Sequence, residues 1–213
     1  MRCPPINIGS TVVIHNKRST RRYSSNSIHE KKNEIRKKYI RLRKTKHLND
    51  TYGSEFIAIH LIKYLENKKL INRNIKLALY WPRGSEISTK PTLAALHQIT
   101  ENIAIASTEK NKILFKLWSP NTFIKETNLG VILETKELKK INIIICPLIA
   151  FDKNCNRLGR GGGFYDKMLG KKKNIIKIGF GYDMQKIIKV PTNSHDIKMD
   201  VIITDKYIYE NKY

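Results

Sequence analysis

Ile141-Asn142-Ile143-Ile144-Ile145-Cys146 is the segment on which the fold turns. It is apolar and β-branched almost throughout. A run this continuous fits a strand covered on both faces, as in parallel sheets with helices packed on either side. To either side of it, Ile75–Trp81, Ile103–Ala106, Ile113–Trp118, Ile175–Phe180 and Val201–Thr204 read as further short strands. The first of these is ended by Pro82-Arg83-Gly84. Helical patterns lie between and before them. Ile28, Ile35, Tyr39 and Leu42 recur at helical spacing up to about Lys46, and Phe56, Ile59, Ile62 and Leu65 form a stripe within Ser54–Glu66. Ser88 is the expected N-cap of a helix through Leu93 and Leu96, and a short helix is expected over Phe164–Leu169. Strands alternating with helices predict an α/β fold with a mostly parallel sheet. Ligands of such sheets bind past the carboxyl ends of the strands, which singles out the loops after Trp81, Cys146 and Phe180.

The chain has 213 residues, 40% of them apolar, and a mean hydropathy of -0.44. These values fit a soluble domain with a sizeable core. No apolar run reaches the roughly 18–20 residues of a spanning helix; the longest, Ile141–Phe151, is broken by Asn142 and Pro147. Cys3, Cys146 and Cys155 form neither an even framework nor a C-x-x-C pair, which argues against disulfide stapling and structural zinc and for a reducing, cytoplasmic setting. Lys and Arg number 41 against 18 acids, for a net charge of +23. Residues 1–46 hold fourteen of those cations against Glu30 and Glu34. Such a charge suits a polyanionic partner. Abundant Lys, Asn and Ile also reflect AT-rich coding, so charge alone selects no function. Residues 1–27 contain no acid and several serines, and are expected to be a basic, flexible extension preceding a single catalytic domain over 28–213.

Arg157-Leu158-Gly159-Arg160-Gly161-Gly162-Gly163-Phe164-Tyr165-Asp166 follows the decisive strand and precedes a helix. Four glycines in five positions let the backbone approach a ligand, and successive N–H groups can form an anion-binding concavity. Arg157 and Arg160 supply cations suited to phosphate oxygens. The Gly-Lys-Ser/Thr ending of a P-loop is missing, and Phe164 stands where the dinucleotide fingerprint has its third glycine. Asp166 beside a phosphate site is repulsive unless a magnesium ion bridges the two; it can equally be a first-turn acid that stabilises the helix.

Phe151-Asp152 with the 157–166 loop resembles the signature of the 5-formyltetrahydrofolate cyclo-ligase (5,10-methenyltetrahydrofolate synthetase) family. Lys32-x-x-Ile35-Arg36 resembles its N-terminal basic helix, and Ala78–Pro82 through Glu86–Thr89 its folate-side segment. Gly179-Phe180-Gly181-Tyr182-x-x-Gln185 and Val190-Pro191-x-x-x-His195-Asp196-x-x-x-Asp200 resemble its C-terminal block. The four blocks stand in the family's order and cover roughly Lys31 to Thr204.

The resemblance implies a three-layer α/β/α fold of the NagB/RpiA/CoA transferase-like kind. It also implies an ATP- and Mg2+-dependent closure of 5-formyltetrahydrofolate to 5,10-methenyltetrahydrofolate, by a monomer with no obligatory nucleic-acid or membrane partner. Lys32, Arg36, Arg157, Gly159, Arg160, Gly161, Gly162, Gly163, Phe164, Tyr165 and Asp166 are then the expected ATP-binding residues, with Arg160 the catalytic cation. Asp166 and Asp196 are the expected magnesium carboxylates. Glu86 is the expected folate anchor, with Tyr80, Trp81 and Tyr165 as apolar walls; His195 is expected to be structural. Two departures stand out. Cys155 replaces the family's usual Gly, with Asn154 expected to take the left-handed conformation instead, and Thr135 replaces a common Pro. The competing readings are a basic nucleic-acid-binding module and a sugar-phosphate isomerase-like enzyme on a related scaffold.

Overall fold

A computed structural model describes residues 27–109, 112–172 and 174–211. The basic extension expected over 1–27 therefore lies, apart from Ser27, outside the described residues. In chain order the elements are α1 (Ile28–Leu48), α2 (Gly53–Asn67), β1 (Leu77–Leu79), α3 (Lys90–His97), β2 (Ile103–Glu109), β3 (Lys112–Leu117), β4 (Lys125–Thr127), β5 (Gly130–Ile132), β6 (Ile143–Pro147), β7 (Ala150–Phe151), β8 (Arg157–Leu158), α4 (Phe164–Leu169), β9 (Ile176–Gly181), β10 (Val201–Thr204) and β11 (Ile208–Glu210).

Seven strands form one sheet in the order β11-β10-β9-β6-β1-β2-β3. The five inner strands run parallel, and the edge strands β3 and β11 are antiparallel to their neighbours. The expected run of isoleucines is the central β6, fully buried from Ile143 to Cys146. Strand pleating divides its side chains between two cores. Ile143 and Ile145 join Leu77 and Leu79 against Ile57, Leu61, Leu93 and Leu96 of α2 and α3. Ile144 and Cys146 join Ala78 in the opposite core, with Leu169 of α4. Each such aliphatic side chain contributes about 1.5–3 kcal/mol by leaving water, which fixes β6 in register against both helical layers.

The two strands beside β1 are reached by connections that leave in opposite directions. β1 runs through α3 to β2 on one side; the chain returns to β6 on the other. The gap between the carboxyl ends of β1 and β6 is thus a topological switch point, where open α/β sheets place their ligands.

Several local expectations are corrected. In α2 the buried face is Ile57, Ala58, Leu61, Tyr64 and Leu65, while Phe56 and Ile59 are half-exposed. This helix is apolar on most sides, so period alone does not choose its inner face. In α1 the apolar stripe is not the seat: Ile28 and Leu42 are exposed, and the buried residues are Lys32 and Arg43. The N-cap of α3 is Thr89, not Ser88. Thr89 spends its hydroxyl on the Tyr80 carbonyl, and the Ser88 hydroxyl accepts from the Lys90 amide instead. Asn154 does not take the left-handed turn; Cys155 does, at φ 60°. The Asp152 carboxylate accepts the amides of Asn154 and Asn156, which places Cys155 at the bend, its thiol donating to the Tyr209 carbonyl. Thr135 donates its hydroxyl to the Leu117 carbonyl. The β4–β5 and β7–β8 hairpins and β11 carry no period in the sequence long enough to read.

Candidate active site

A cavity of about 350 Å³ opens at the switch point. Tyr80, Trp81 and Glu86 reach it from the segment after β1, and Pro147 and Leu148 from the end of β6. Lys32 and Arg36 reach it from α1, the 157–166 loop borders it along its whole length, and Asp196 reaches it from the segment before β10. Every residue expected at the site from sequence borders this one cavity. His195 does not; it is exposed on the loop beside Asp196.

The glycine loop is shaped for close approach. Gly161 has φ 107° and Gly163, the N-cap of α4, has φ 66°. A Cβ on Gly161 would stand 3.3 Å from the Arg36 guanidinium carbon. That guanidinium donates from Nε to the Gly159 carbonyl at 2.9 Å and from Nη1 to Asn33 at 2.7 Å. Burial pulls the Arg36 pKa down, and Asp196 pushes it back up. Lys32, 6% exposed, pairs with Asp196. Burial raises the Asp196 carboxyl, but Lys32, the Asn193 amide and Arg157 outweigh it and hold the pKa below the ordinary value.

Arg157 borders the cavity but is committed to the protein's own groups. It is buried, donates Nη2 to Asp166 at 2.9 Å and Nη1 to the Pro147 carbonyl at 3.3 Å, and has a buried Nε with no partner among the described residues. Arg160 is half-exposed and bonds across the cavity mouth, from Nε to Glu86 at 2.8 Å and from Nη2 to the Arg83 carbonyl at 3.0 Å. Glu86, 5% exposed, also accepts the Arg83 amide at 3.0 Å. The expected folate anchor and the expected catalytic cation are therefore in direct contact.

The apolar wall has two parts. Tyr80 and Tyr165 have their phenols held protonated by burial, which pushes both pKa values well up. Tyr80 donates its hydroxyl to the Ile87 carbonyl, so it acts as a wall and not as an acid. Trp81 is anchored through Nε1 to Glu126. The second part was not legible in sequence: Leu129, Gly130 and Val131 of the β4–β5 hairpin close the cavity from above β2. Gly130 permits this, because a Cβ there would lie 2.5 Å from the Thr108 hydroxyl. A glycine between hairpin residues was the available signal. Neither Cys146 nor Cys155 borders the cavity, and burial pushes Cys146 up to about 12 and Cys155 up to about 11.

Asp166 and Asp196 border the same cavity, each with one oxygen engaged: Oδ1 of Asp166 by Arg157 and the Ile197 amide, Oδ2 of Asp196 by Lys32 and the Asn193 amide. Among the described residues no cluster of three or more His, Cys, Asp or Glu forms a dedicated metal cage. This donor set fits a magnesium ion held chiefly by phosphate and water, with one or two carboxylates. Among the described residues no helix is long and apolar enough to cross a membrane.

The chain is similar to known proteins in sequence and in fold. Residues 28–205 match the model of the 5-formyltetrahydrofolate cyclo-ligase family. The chain is 29% identical over 168 residues to the 5-formyltetrahydrofolate cyclo-ligase of Haemophilus influenzae, covering 73% of this chain and 88% of the relative. It is 26% identical to that of Mycoplasma pneumoniae, covering 82% and 99%. Among solved structures, the 5,10-methenyltetrahydrofolate synthetase of Aquifex aeolicus superposes with a TM-score of 0.69 at 28% identity, over 85% of this chain and 93% of that one.

Proposed function

The chain belongs to the 5-formyltetrahydrofolate cyclo-ligase family, and from that premise we propose that its cavity binds ATP and 5-formyltetrahydrofolate together and transfers the γ-phosphoryl to the formyl oxygen. The overall conversion is 5-formyltetrahydrofolate to 5,10-methenyltetrahydrofolate. A formamide carbon is a poor electrophile, and its oxygen a poor leaving group. Phosphorylation makes that oxygen part of a phosphate, with ADP departing. N10 then bonds to the formyl carbon, loses its proton, and expels phosphate as the ring closes.

The protein's work is alignment and charge neutralisation. Lys32 and Arg36, one helical turn apart on α1, hold the phosphate chain from one side, and the amides of 159–163 hold it from the other. Arg160 meets the charge that develops on the transferring phosphoryl. Glu86 accepts the donors on the pterin edge, and Tyr80, Trp81 and Tyr165 flank the ring. Asp166 and Asp196 are the residues that would hold Mg2+, which would supply neutralisation of phosphate charge. Arg157 is a positioning residue that fixes Asp166 and the end of β6.

The observation that carries this reading is the convergence on one cavity of α1, the β1 end, the glycine loop and Asp196, segments separated by up to 164 residues. The test is direct. Purified protein with 5-formyltetrahydrofolate, ATP and magnesium should develop methenyl absorbance, and omission of ATP should abolish it. A folded sample that forms no product refutes the assignment.

A further inference from the structure

Glu86 and Arg160, assigned above to different ligands, are each other's partner. Arg160 bridges from the glycine loop to Glu86 Oε1 at 2.8 Å and to the Arg83 carbonyl at 3.0 Å. This ties the phosphate side of the cavity to the pterin side across its mouth. We propose that the Glu86–Arg160 bond is a strap that couples the two substrates. Either ligand engages its own group only by breaking the bond, and the first to bind releases the group that the second requires. The inference rests on the functional reading above, in which Glu86 takes the pterin and Arg160 the phosphates.

Two further features make the strap able to open. First, little else restrains the loop. Among the described residues no backbone hydrogen bond involves residues 160–162. Glycines at φ 107° and 66° lie just beyond Arg160, and the loop's other tethers hold its two ends, Arg36 at the Gly159 carbonyl and Arg157 and the Ile197 amide at Asp166. Arg160 can therefore leave Glu86 while residue 159 stays in place. Second, Glu86 is not stranded when Arg160 departs. A buried carboxylate stripped of all partners is heavily destabilised, but Glu86 keeps the Arg83 amide. It also keeps the field of Arg43, a 2%-exposed cation fixed between the Leu148 carbonyl and the Ser85 hydroxyl. The two arginines thus divide the work: Arg43 is the permanent counter-charge and Arg160 the exchangeable one.

Coupling between two sites is reciprocal, so the test reads both directions with ligands that do not react. The magnesium complex of an ATP analogue with an imido β–γ bridge is titrated calorimetrically into the full chain, and 5-formyltetrahydrofolate is titrated separately. Glu86→Gln should tighten nucleotide binding, in the absence of folate, by about fivefold or more. Arg160→Gln should likewise tighten folate binding in the absence of nucleotide. In the Arg160→Gln background, Glu86→Gln should give no nucleotide gain, because the strap is already gone. An unchanged or weakened nucleotide affinity in Glu86→Gln overturns the strap. So does a gain that survives in the Arg160→Gln background, since that is simple removal of a repulsive charge. If Glu86→Gln does not fold, the folate arm with Arg160→Gln, a half-exposed side chain, decides alone. Failure of the unaltered chain to bind nucleotide at all is a different result, and it removes the functional reading itself.

Discussion

Gly161 shows how tightly single residues constrain the site. Its φ of 107° is unsuited to any side chain, and a Cβ would press on the Arg36 guanidinium at 3.3 Å. Gly161→Ala should cost about 1–3 kcal/mol in backbone strain and dislodge Arg36 from the Gly159 carbonyl. The expected result is a KM for ATP raised about tenfold, the worth of one hydrogen bond to a charged group, with an unchanged circular dichroism spectrum. Gly84→Ala is the control: it too has positive φ, but nothing lies within 4 Å of the added Cβ, so it should leave the KM alone. The glycine loop was legible in sequence because its signal is local, four glycines flanked by arginines. The destination of Arg160 was not, because it depends on where Glu86, 74 residues away, is carried by the sheet. Cys155 marks the same boundary. A left-handed residue near 154–155 was legible, but the choice of Cys155 over Asn154 came from Asp152 and Tyr209, the second of which is remote in sequence.

At the scale of elements, α1 is the unusual member. Sequence period assigned it an apolar seat, whereas its buried positions are Lys32 and Arg43. It is held by Lys32 to Asp196, by Arg36 to Gly159 and by Arg43 to Leu148 and Ser85, with Ile35 and Tyr39 adding partial packing against Ala150, Leu158 and Val190. Arg43→Leu leaves the Leu148 carbonyl and Ser85 hydroxyl without this donor and Glu86 with the half-exposed Arg160 as its remaining paired cation. It should destabilise the protein by about 2–4 kcal/mol, measured by urea unfolding. The Lys32–Asp196 tie predicts an acid response. The folded Asp196 carboxyl lies below its ordinary value, so its stabilisation is complete above the unfolded value near 3.8 and is lost as pH falls through the lower folded one. Asp196→Asn should therefore be less stable than the unaltered protein at pH 6, with the gap narrowing steadily below about pH 4. Parallel denaturation curves at both pH values check this.

For the whole molecule, the sheet was legible because most of its inner-strand positions are buried and so read as short, nearly continuous apolar runs. The edge hairpins were not, because strands of two or three residues hold no period. Ser27 sets the limit for removing the basic leader. Its hydroxyl accepts the Glu30 amide, and the Glu30 carboxylate accepts its own amide in return, a capping box. A chain lacking residues 1–26 should retain full cyclo-ligase turnover. Removing Ser27 as well should cost about 1 kcal/mol, seen as a melting point lower by about 2–4 °C. A folded but inactive chain from the first truncation would place the leader in the site.

A helix seated through cations rather than through grease has a further property. An anion lodged beneath it acts as mortar, joining the first secondary-structure element to the sheet in proportion to its own affinity. Nucleotide concentration would then govern how well the N-terminal segment resists heat and proteases as well as how fast the ring closes.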